Sequence, residues 1–258
     1  MKFLFFRTTG GISGAEIYTQ CLIDALKKQH HEATIITDNR EWKRVLTSNN
    51  IETVYFPNTT KEIGIKRTTL AALMRYPAYI QSFEHILSSY SPKATVVVFE
   101  SLNEKIFASW LVAKMGFRLV WIEHGPLFRT NMWSMVKTAY RRVSGYPDTI
   151  IAVSSDTKRD LQTGGIPPEK IVTVPIGVPE RKHPVKVGNS KNTITIGFLG
   201  SLNEKKGFLD FLRIVQRLRT HPKLRFCAIG SGPLEDYTKD FIASHELDTR
   251  FSFRSFLP

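Results

Sequence analysis

Short apolar runs rich in Val, Ile and Phe alternate along this chain with longer segments of helical periodicity. This alternation restricts the fold most, because strands that are apolar throughout and alternate with helices form parallel sheets covered on both faces. The strand-like runs are Lys2–Phe6, Ala33–Thr37, Glu52–Phe56, Ala94–Phe99, Arg118–Ile122, Thr149–Val153, Lys170–Val174, Thr193–Leu199, Leu224–Ile229 and Arg250–Phe253. The pattern predicts an α/β fold built from doubly wound parallel sheets.

Segments of helical periodicity separate these runs. We expect helices at Ala15–Gln29, Thr68–Ser89, Lys105–Met115, Lys206–Thr220 and Pro233–His245. Their apolar faces supply the cover that a buried parallel sheet requires.

Residues 178–192 interrupt the alternation. They contain Pro179, Pro184 and Gly188 with several cations and no long apolar run, which is typical of a linker. We therefore expect one domain over residues 1–177 and a second over residues 193–258. The second segment offers three strand-like runs, whereas a doubly wound sheet usually has about five or six, so we expect the second domain to be incomplete.

The charge balance favours anionic partners. Lys and Arg number 36 and Asp and Glu 23, which gives a formal net charge of +13. Such a field attracts phosphorylated substrates, acidic lipid surfaces or nucleic acid, and the charge alone does not choose among them. Cys21 and Cys227 lie far apart and outside any metal-ligand spacing, so neither a disulfide framework nor a structural zinc site is expected.

Membrane-spanning and secretory segments are not evident in the sequence. No apolar run approaches the roughly 20 residues that span a bilayer, and Phe3–Phe6 is too short for the apolar part of a signal peptide. We therefore expect a soluble, cytoplasmic protein.

Glycines follow the first strand-like run. The junction Phe6–Glu16 contains Gly10, Gly11 and Gly14 and leads into a helix, whose N-terminal N–H groups can bind an anion. The Gly-x-Gly-x-x-Gly pattern of dinucleotide-binding proteins is absent. A flexible turn with Ser13 as the helix N-cap is the alternative interpretation.

Lysines stand at a second strand-to-helix junction, Gly197–Gly207. Lys205 and Lys206 lie where a helix begins, although a cation there opposes the helix dipole. A bound diphosphate would explain their position, and so would two solvated lysines.

A third junction, Ala228–Glu235, has Gly230 and Gly232 before Pro233. Pro233 fits the first turn of a helix, so the connection is tight. A structural role and a ligand-binding role both suit these glycines.

Taken together, these elements resemble those of the retaining GT-B glycosyltransferases of the group-1 (family 4) class, over nearly the whole chain. Gly10–Glu16 is similar to the glycine-rich first loop, Gly200–Gly207 to the GRLxxxKG element and Ile229–Pro233 to the VGxGP element. Ile151–Ser155 followed by Ile171–Val178 is similar to the VSxx…IPNGV run that ends the first domain. Four such elements in the family's order are more specific than any one of them.

The resemblance implies two Rossmann-like domains, a nucleoside-diphosphate-sugar donor in the cleft between them, and transfer of a hexosyl unit to an acceptor hydroxyl with retention. Lys206 would neutralise the leaving diphosphate, so no metal and no cofactor besides the donor co-substrate are implied. Gly10, Gly11 and Gly14 would face the donor phosphates or the acceptor. The full set of residues implied to bind substrate or donor is Gly10, Gly11, Gly14, Glu16, Ser201, Lys205, Lys206, Gly230 and Gly232.

His124 is the candidate catalytic residue. It follows the run Arg118–Ile122, and polar residues at the carboxyl ends of strands line the ligand crevice of α/β sheets. In the family, a histidine after the matching strand often contacts the donor sugar. A histidine bonded to its own loop is the alternative interpretation.

Two departures from the family pattern bear on activity. Ser201 stands where the family usually has a diphosphate-binding arginine, and a serine hydroxyl offers one neutral donor in place of a charged fork. The family's Glu-x7-Glu element lies later than Pro258, so we expect a C-terminally truncated chain with an incomplete donor site. The alternative function is a non-catalytic anion- or partner-binding Rossmann-like module.

Cations and aromatic side chains are interleaved over Lys105–Pro147. The set comprises Lys105, Lys114, Arg118, Arg129, Lys137, Arg141 and Arg142 against the one acid Glu123, with Trp110, Trp121, Trp133 and Tyr140 among them. Over Asn131–Ser144 the apolar stripe is Met132, Met135, Val136, Ala139 and Val143.

This composition suits the surface of an anionic membrane, and a core-packed helix with a solvated face explains it equally well. Family members often act on lipid-linked acceptors. We therefore expect a glycan or lipid-linked acceptor in polysaccharide biosynthesis and peripheral contact with the inner face of the membrane. No nucleic-acid-binding signature is present, so no nucleic acid is expected.

Overall fold

The computed structural model describes residues 1–8, 14–56, 63–177 and 193–255. The chain forms two compact units, Met1–Glu180 and Arg181–Pro258. The strands are β1 (Lys2–Phe6), β2 (Glu32–Thr37), β3 (Glu52–Tyr55), β4 (Thr95–Phe99), β5 (Arg118–Glu123), β6 (Thr149–Ala152) and β7 (Ile171–Thr173) in the first unit, and β8 (Ile194–Leu199), β9 (Leu224–Ile229) and β10 (Phe251–Arg254) in the second. All the predicted strands are confirmed, with their ends displaced by at most one residue. The predicted linker lies outside the described residues.

The first sheet is parallel throughout and has the order β3-β2-β1-β4-β5-β6-β7. The strand order reverses between β1 and β4, which opens a crevice at the carboxyl ends of these two strands. Successive residues of β1 enter different cores, because side chains alternate across a strand. Leu4 and Phe6 pack into one buried cluster and Phe5 into the other, so both faces of the sheet are covered, as predicted.

The helices follow the strands in the order that a doubly wound sheet requires. They are α1 (Gly14–Lys28), α2 (Arg40–Ser48), α3 (Lys66–Met74), α4 (Tyr76–Leu87), α5 (Leu102–Lys114), α6 (Ser134–Val143), α7 (Ser155–Thr163), α8 (Phe208–Leu218) and α9 (Glu235–Ser244). Within the described residues, every helix is too short or too polar to cross a membrane.

Three features of the helices differ from expectation. The single helix expected at Thr68–Ser89 is wrong: it divides into α3 and α4 at Arg75, because Pro77 cannot donate the hydrogen bond that would continue one helix and instead lies in the first turn of the next. Helices α2 and α7 were not predicted. Their caps are the signal that could have found them: Asn39 accepts from the N–H of Trp42, and Ser154 from that of Thr157.

The second unit has three described strands in the order β10-β9-β8, all parallel. Its core lies between this sheet and helices α8 and α9, with Phe208, Phe226 and Phe251 among the buried residues. We expected both faces of each sheet to be covered. For β8 this prediction is wrong, because Leu199 is 78% exposed and Ile194 is exposed as well. Strand β8 therefore alternates between covered and open positions.

Two loops of the second unit approach each other so closely that only glycine fits. A Cβ on Gly230 would lie 1.8 Å from the carbonyl oxygen of Gly200, and one on Gly232 would lie 2.6 Å from that of Leu202. Backbone hydrogen bonds join the same loops, from the N–H of Leu202 to Ser231 and from that of Leu234 to Leu202. The predicted glycine junctions are thus packed against each other.

We expect Gly230→Ala to lower the local free energy of unfolding of the second unit by roughly 3 kcal/mol, because the new methyl group forces the two loops apart. Hydrogen exchange of peptides from β8 and β9 measures this local stability. Gly197→Ala is the matched control, since its Cβ would lie 3.9 Å from the nearest atom. Equal exchange rates for the two variants would contradict the packing argument.

Candidate functional site

The crevice of the first sheet is lined by polar side chains that follow β1, β4 and β5. Arg7 follows β1, Glu100 follows β4, and His124 follows β5. Parallel strands end at one edge of a sheet, so residues separated by more than ninety positions in sequence meet here. Helix α1 adds Glu16 and Thr19 to the same cluster.

A buried carboxylate organises this cluster. The side chain of Glu100 has no exposed surface, and its two oxygens accept from the hydroxyl of Thr19 at 2.9 and 2.8 Å. Oε2 of Glu100 also lies 3.2 Å from Nε2 of His124 and 3.9 Å from Nε of Arg7. Glu100 therefore links β1, β5 and α1, and sequence reasoning missed it because its role depends on strand order.

Glu16, expected among the donor-binding residues, is fully buried. One of its carboxylate oxygens accepts from both Nε and Nη2 of Arg7, each at 2.8 Å. Its charge is thus directed at Arg7 within the protein. Gly14 begins α1, and a Cβ added to it would meet no atom of the described residues within 4 Å. Gly10, Gly11 and Ser13 lie outside the described residues.

The two ring nitrogens of His124 have different surroundings. Nε2 faces Glu100, while Nδ1 is buried and has no hydrogen-bond partner among the described residues. The ring packs edge-on against Tyr18, whose pKa is raised by burial and then by the charge of Glu100. In the tautomer that directs an Nε2 proton at the carboxylate, Nδ1 would carry a lone pair able to accept a hydrogen bond from a ligand hydroxyl.

Asp160 on α7 fixes the loop that follows His124. Its buried carboxylate accepts the backbone N–H groups of Leu127, Phe128 and Arg129 at 2.6, 2.7 and 3.0 Å. Phe128 covers Gly164, where any Cβ would lie 2.1 Å from the ring. The loop is therefore held against the C-terminal half of α7, an arrangement that the sequence spacing did not indicate.

Lys105 holds the strand ends themselves. Its ammonium group donates to the carbonyl oxygens of Glu100 and Ile122 and to a carboxylate oxygen of Glu123, at 3.0, 2.6 and 2.7 Å. All three of its N–H donors are therefore used. The hydroxyl of Tyr140 on α6 donates to the same oxygen of Glu123 at 2.6 Å.

The prediction of a basic and aromatic surface over Lys105–Pro147 is wrong for several of the residues it named. Lys105, Trp121 and Tyr140 are buried inside the first unit. The two aromatic rings fill space between the sheet and the helices, and Lys105 is buried beside Glu123, which balances its charge. Met135, expected on the core side of α6, is 62% exposed. Lys137 is used within the fold, where it donates to two backbone carbonyls.

The N-terminal turn of α5 holds two chain segments beside the crevice. Ser101 exchanges hydrogen bonds with the backbone of Thr8, and Asn103 accepts from the N–H of Ile63. Glu104 accepts from the hydroxyl of Thr8 at 2.8 Å, and its other oxygen has no partner among the described residues. Burial raises the pKa of Glu104 from 4.5 to about 7 against the lowering effect of the Thr8 hydrogen bond.

In the second unit, Lys205 and Lys206 are exposed beside the β8–α8 junction, as is Ser201. Neither ammonium group has an ion-pair partner in the part of the chain that the structure describes. The helix start expected at Lys206 is wrong: Glu204–Lys206 form a 3-10 turn, and Gly207 has φ 74° before α8 begins at Phe208. Asn203 caps this turn by accepting from the N–H of Lys206.

Metal-ligating side chains do not gather in the described residues, which contain no group of three or more His, Cys, Asp or Glu suited to a metal ion. Cys21 and Cys227 are free thiols.

Comparisons with known proteins place the chain in a family. The pattern described as Glycosyltransferase Family 4 matches residues 12–182, which is more than half of the chain. The pattern described as Glycosyl transferases group 1 matches residues 179–258.

The chain belongs to glycosyltransferase family 4.

Solved structures with the same GT-B fold include Anabaena HepE in complex with UDP, with a TM-score of 0.71, 17% identity and coverage of 99% of this chain and 70% of that chain. A glycosyltransferase from Rickettsia africae has a TM-score of 0.74, 17% identity and coverage of 98% and 68%. A putative UDP-N-acetylglucosamine 2-epimerase from Listeria monocytogenes matches too, with a TM-score of 0.65, 12% identity and coverage of 100% and 69%. Among curated proteins, no sequence relative of this glycosyltransferase is found.

We expect Lys105→Met to lower the free energy of unfolding of the first unit by about 3–5 kcal/mol, because it leaves Glu123 as an unpaired buried charge. Urea unfolding followed by tryptophan fluorescence reports this unit alone, since all four tryptophans lie in it. Lys114→Met, an exposed lysine on the same helix, is the control. Adding Glu123→Gln to Lys105→Met should recover part of the loss, and a single variant as stable as Lys114→Met would contradict the assignment.

The raised pKa of Glu104 predicts a specific pH dependence. Its folded pKa of about 7 exceeds the ordinary value of 4.5, so the folded state binds more protons between these values and its stability falls as pH rises through this range. Relative to Glu104→Gln, the wild-type chain should lose roughly 2–3 kcal/mol of unfolding free energy between pH 5 and pH 8. Urea unfolding across this range measures it, with Glu84→Gln, an exposed carboxylate on α4, as the control. Parallel profiles for the wild-type chain and Glu104→Gln would show that Glu104 is ionised in the folded state.

Proposed function

We propose that this glycosyltransferase moves a hexosyl unit from a nucleoside-diphosphate sugar to an acceptor hydroxyl with retention of configuration. The observation that carries the proposal is Nδ1 of His124, which has no hydrogen-bond partner among the described residues, on a ring that faces the buried carboxylate of Glu100 beside the switch point of the first sheet. A proton acceptor in this orientation can bind a sugar hydroxyl and stabilise positive charge that develops on the sugar. Family membership supports the same reaction class.

The donor diphosphate is proposed to bind at the β8–α8 junction. Lys205 and Lys206 present two exposed cations there, beside the Ser201 hydroxyl and backbone N–H groups. The cations would offset charge on the leaving diphosphate, so the proposal includes no metal. Solved complexes of Anabaena HepE with UDP, with UDP and glucose, and with UDP-glucose support a nucleotide-sugar donor.

The acceptor is proposed to be a glycan or lipid-linked glycan, as in polysaccharide biosynthesis, reached from the cytoplasm by peripheral contact with an anionic membrane. The similarity to WaaB, a lipopolysaccharide outer core galactosyltransferase with a TM-score of 0.66 and 17% identity, supports an acceptor of this kind. No nucleic acid takes part in the proposal.

A non-catalytic anion-binding module is the second candidate function. The observation that favours it is Ser201, whose neutral hydroxyl replaces a charged donor at the proposed diphosphate site. The two functions differ in one measurable respect. The first predicts sugar transfer that depends on His124, whereas the second predicts anion binding without any transfer.

Calorimetric titration with UDP and GDP tests the donor site. We expect one nucleotide to bind, and Lys206→Ala to weaken it by about tenfold or more, the value of one charged hydrogen bond. Lys223→Ala, an exposed lysine elsewhere in the second unit, should leave the affinity unchanged. A folded chain that binds neither nucleotide would overturn the donor site.

Labelled nucleotide sugars incubated with an extracted lipid fraction test the reaction. His124→Ala should reduce transfer by at least about 100-fold while nucleotide affinity stays, because the ring acts on the sugar. Product with the same anomeric configuration as the donor supports retention. Nucleotide binding without transfer or donor hydrolysis would favour the module.

A further inference from the structure

Helix α3 carries its large apolar side chains on the outside. Its buried residues are Thr69 and Ala72, both small. The exposed large side chains on this helix and its N-cap are Ile65 (59%), Leu70 (49%), Leu73 (50%) and Met74 (86%). A surface helix normally buries its large apolar residues, so this reversed pattern indicates that another apolar phase covers the outer face.

The start of α6 extends this surface. The N–H of Trp133 donates to the carbonyl oxygen of Gly64 at 2.7 Å, which brings the first turn of α6 beside the N-terminus of α3. Met135 lies in that turn and is 62% exposed, although its neighbour Val136 is in the core. We call Ile65, Leu70, Leu73, Met74 and Met135 the α3 face.

The charged side chains within residues 63–83, which include α3, are all cationic. Lys66, Arg67 and Arg75 are exposed on or beside α3, and none of them has an ion-pair partner within the described ranges. The sequence from Ile63 to Phe83 contains no acidic residue, and neither does the sequence from Gly125 to Pro147. A second copy of this chain would bring like charges together, whereas an anionic bilayer matches both the apolar face and its cationic border.

We propose that the α3 face docks this glycosyltransferase on an anionic lipid bilayer. The apolar side chains enter the boundary between headgroups and acyl chains, and the three cations contact lipid phosphates. Long cationic side chains suit this position because their stems lie along apolar surface while their charged ends stay at the headgroups. The biological use of this docking rests on the proposed lipid-linked acceptor, but the binding itself is measured without any transfer.

Vesicle co-sedimentation of the full chain tests the proposal. The wild-type protein should bind vesicles of phosphatidylcholine mixed with phosphatidylglycerol and bind phosphatidylcholine alone at least about tenfold more weakly, because each cation contributes near an anionic surface. The variant Leu70→Gln/Leu73→Gln/Met74→Gln should lose binding to mixed vesicles. The variant Lys66→Gln/Arg67→Gln/Arg75→Gln should weaken it by about tenfold or more.

Matched variants elsewhere separate the α3 face from the general charge of the chain. Arg40→Gln/Lys43→Gln/Arg44→Gln removes three cations from α2, and Ile214→Gln/Tyr237→Gln removes two exposed apolar side chains from the second unit. Both should bind mixed vesicles nearly as well as the wild-type chain. If the α2 variant loses as much binding as the α3 charge variant, the proposal is overturned.

Sedimentation velocity without lipid addresses the alternative occupant. A monomer that still binds vesicles supports the bilayer. A dimer that the apolar α3 variant dissociates would assign the face to a second copy and overturn the proposal. Neither measurement uses a sugar donor. A failure of membrane docking therefore does not test the proposed transfer reaction, which is tested by its own assays.

Discussion

The buried ammonium group of Lys105 is the interaction on which the first unit's site depends. An ionised lysine in a protein interior is stable only when its donors are fully used and its charge is balanced. Here it joins the carboxyl ends of β4 and β5 and is neutralised by Glu123. These are the strand ends that carry Glu100 and His124, so the geometry of the crevice follows from where Lys105 is bound.

The buried carboxylates at and beside the crevice, Glu16, Glu100 and Glu104, differ in their hydrogen-bond and ion-pair partners. Glu100 and Glu16 face cationic or hydroxyl donors, whereas Glu104 has one oxygen without a partner among the described residues. Burial favours the neutral form of a carboxyl group, and it raises the pKa of Glu104 to about 7 although the Thr8 hydrogen bond and the charge of Arg7 lower it. Hydrogen bonds to buried side chains of α5 fix the positions of Thr8 and Ile63.

The second unit reaches its geometry by close backbone approach. Gly230 and Gly232 let its two loops touch, and hydrogen bonds between these loops then fix the turn that presents Lys205 and Lys206. The absence of a side chain at these positions is therefore explained by packing, before any ligand is considered. The N–H groups of both glycines are also used within the fold, since that of Gly230 donates to the carbonyl oxygen of Arg254 and that of Gly232 to the carboxylate of Glu235.

The sequence by itself determined the strands, the parallel sheets and the family, because apolar runs and glycine junctions are local patterns that each segment carries alone. It also located His124 at a strand end. Only the tertiary structure decided that Glu100, Asp160 and Lys105 support that residue, since their roles arise from contacts between distant segments. It likewise turned Trp121 inward and Met135 outward. Periodicity says which residues share a face, but the direction of that face depends on what packs against it.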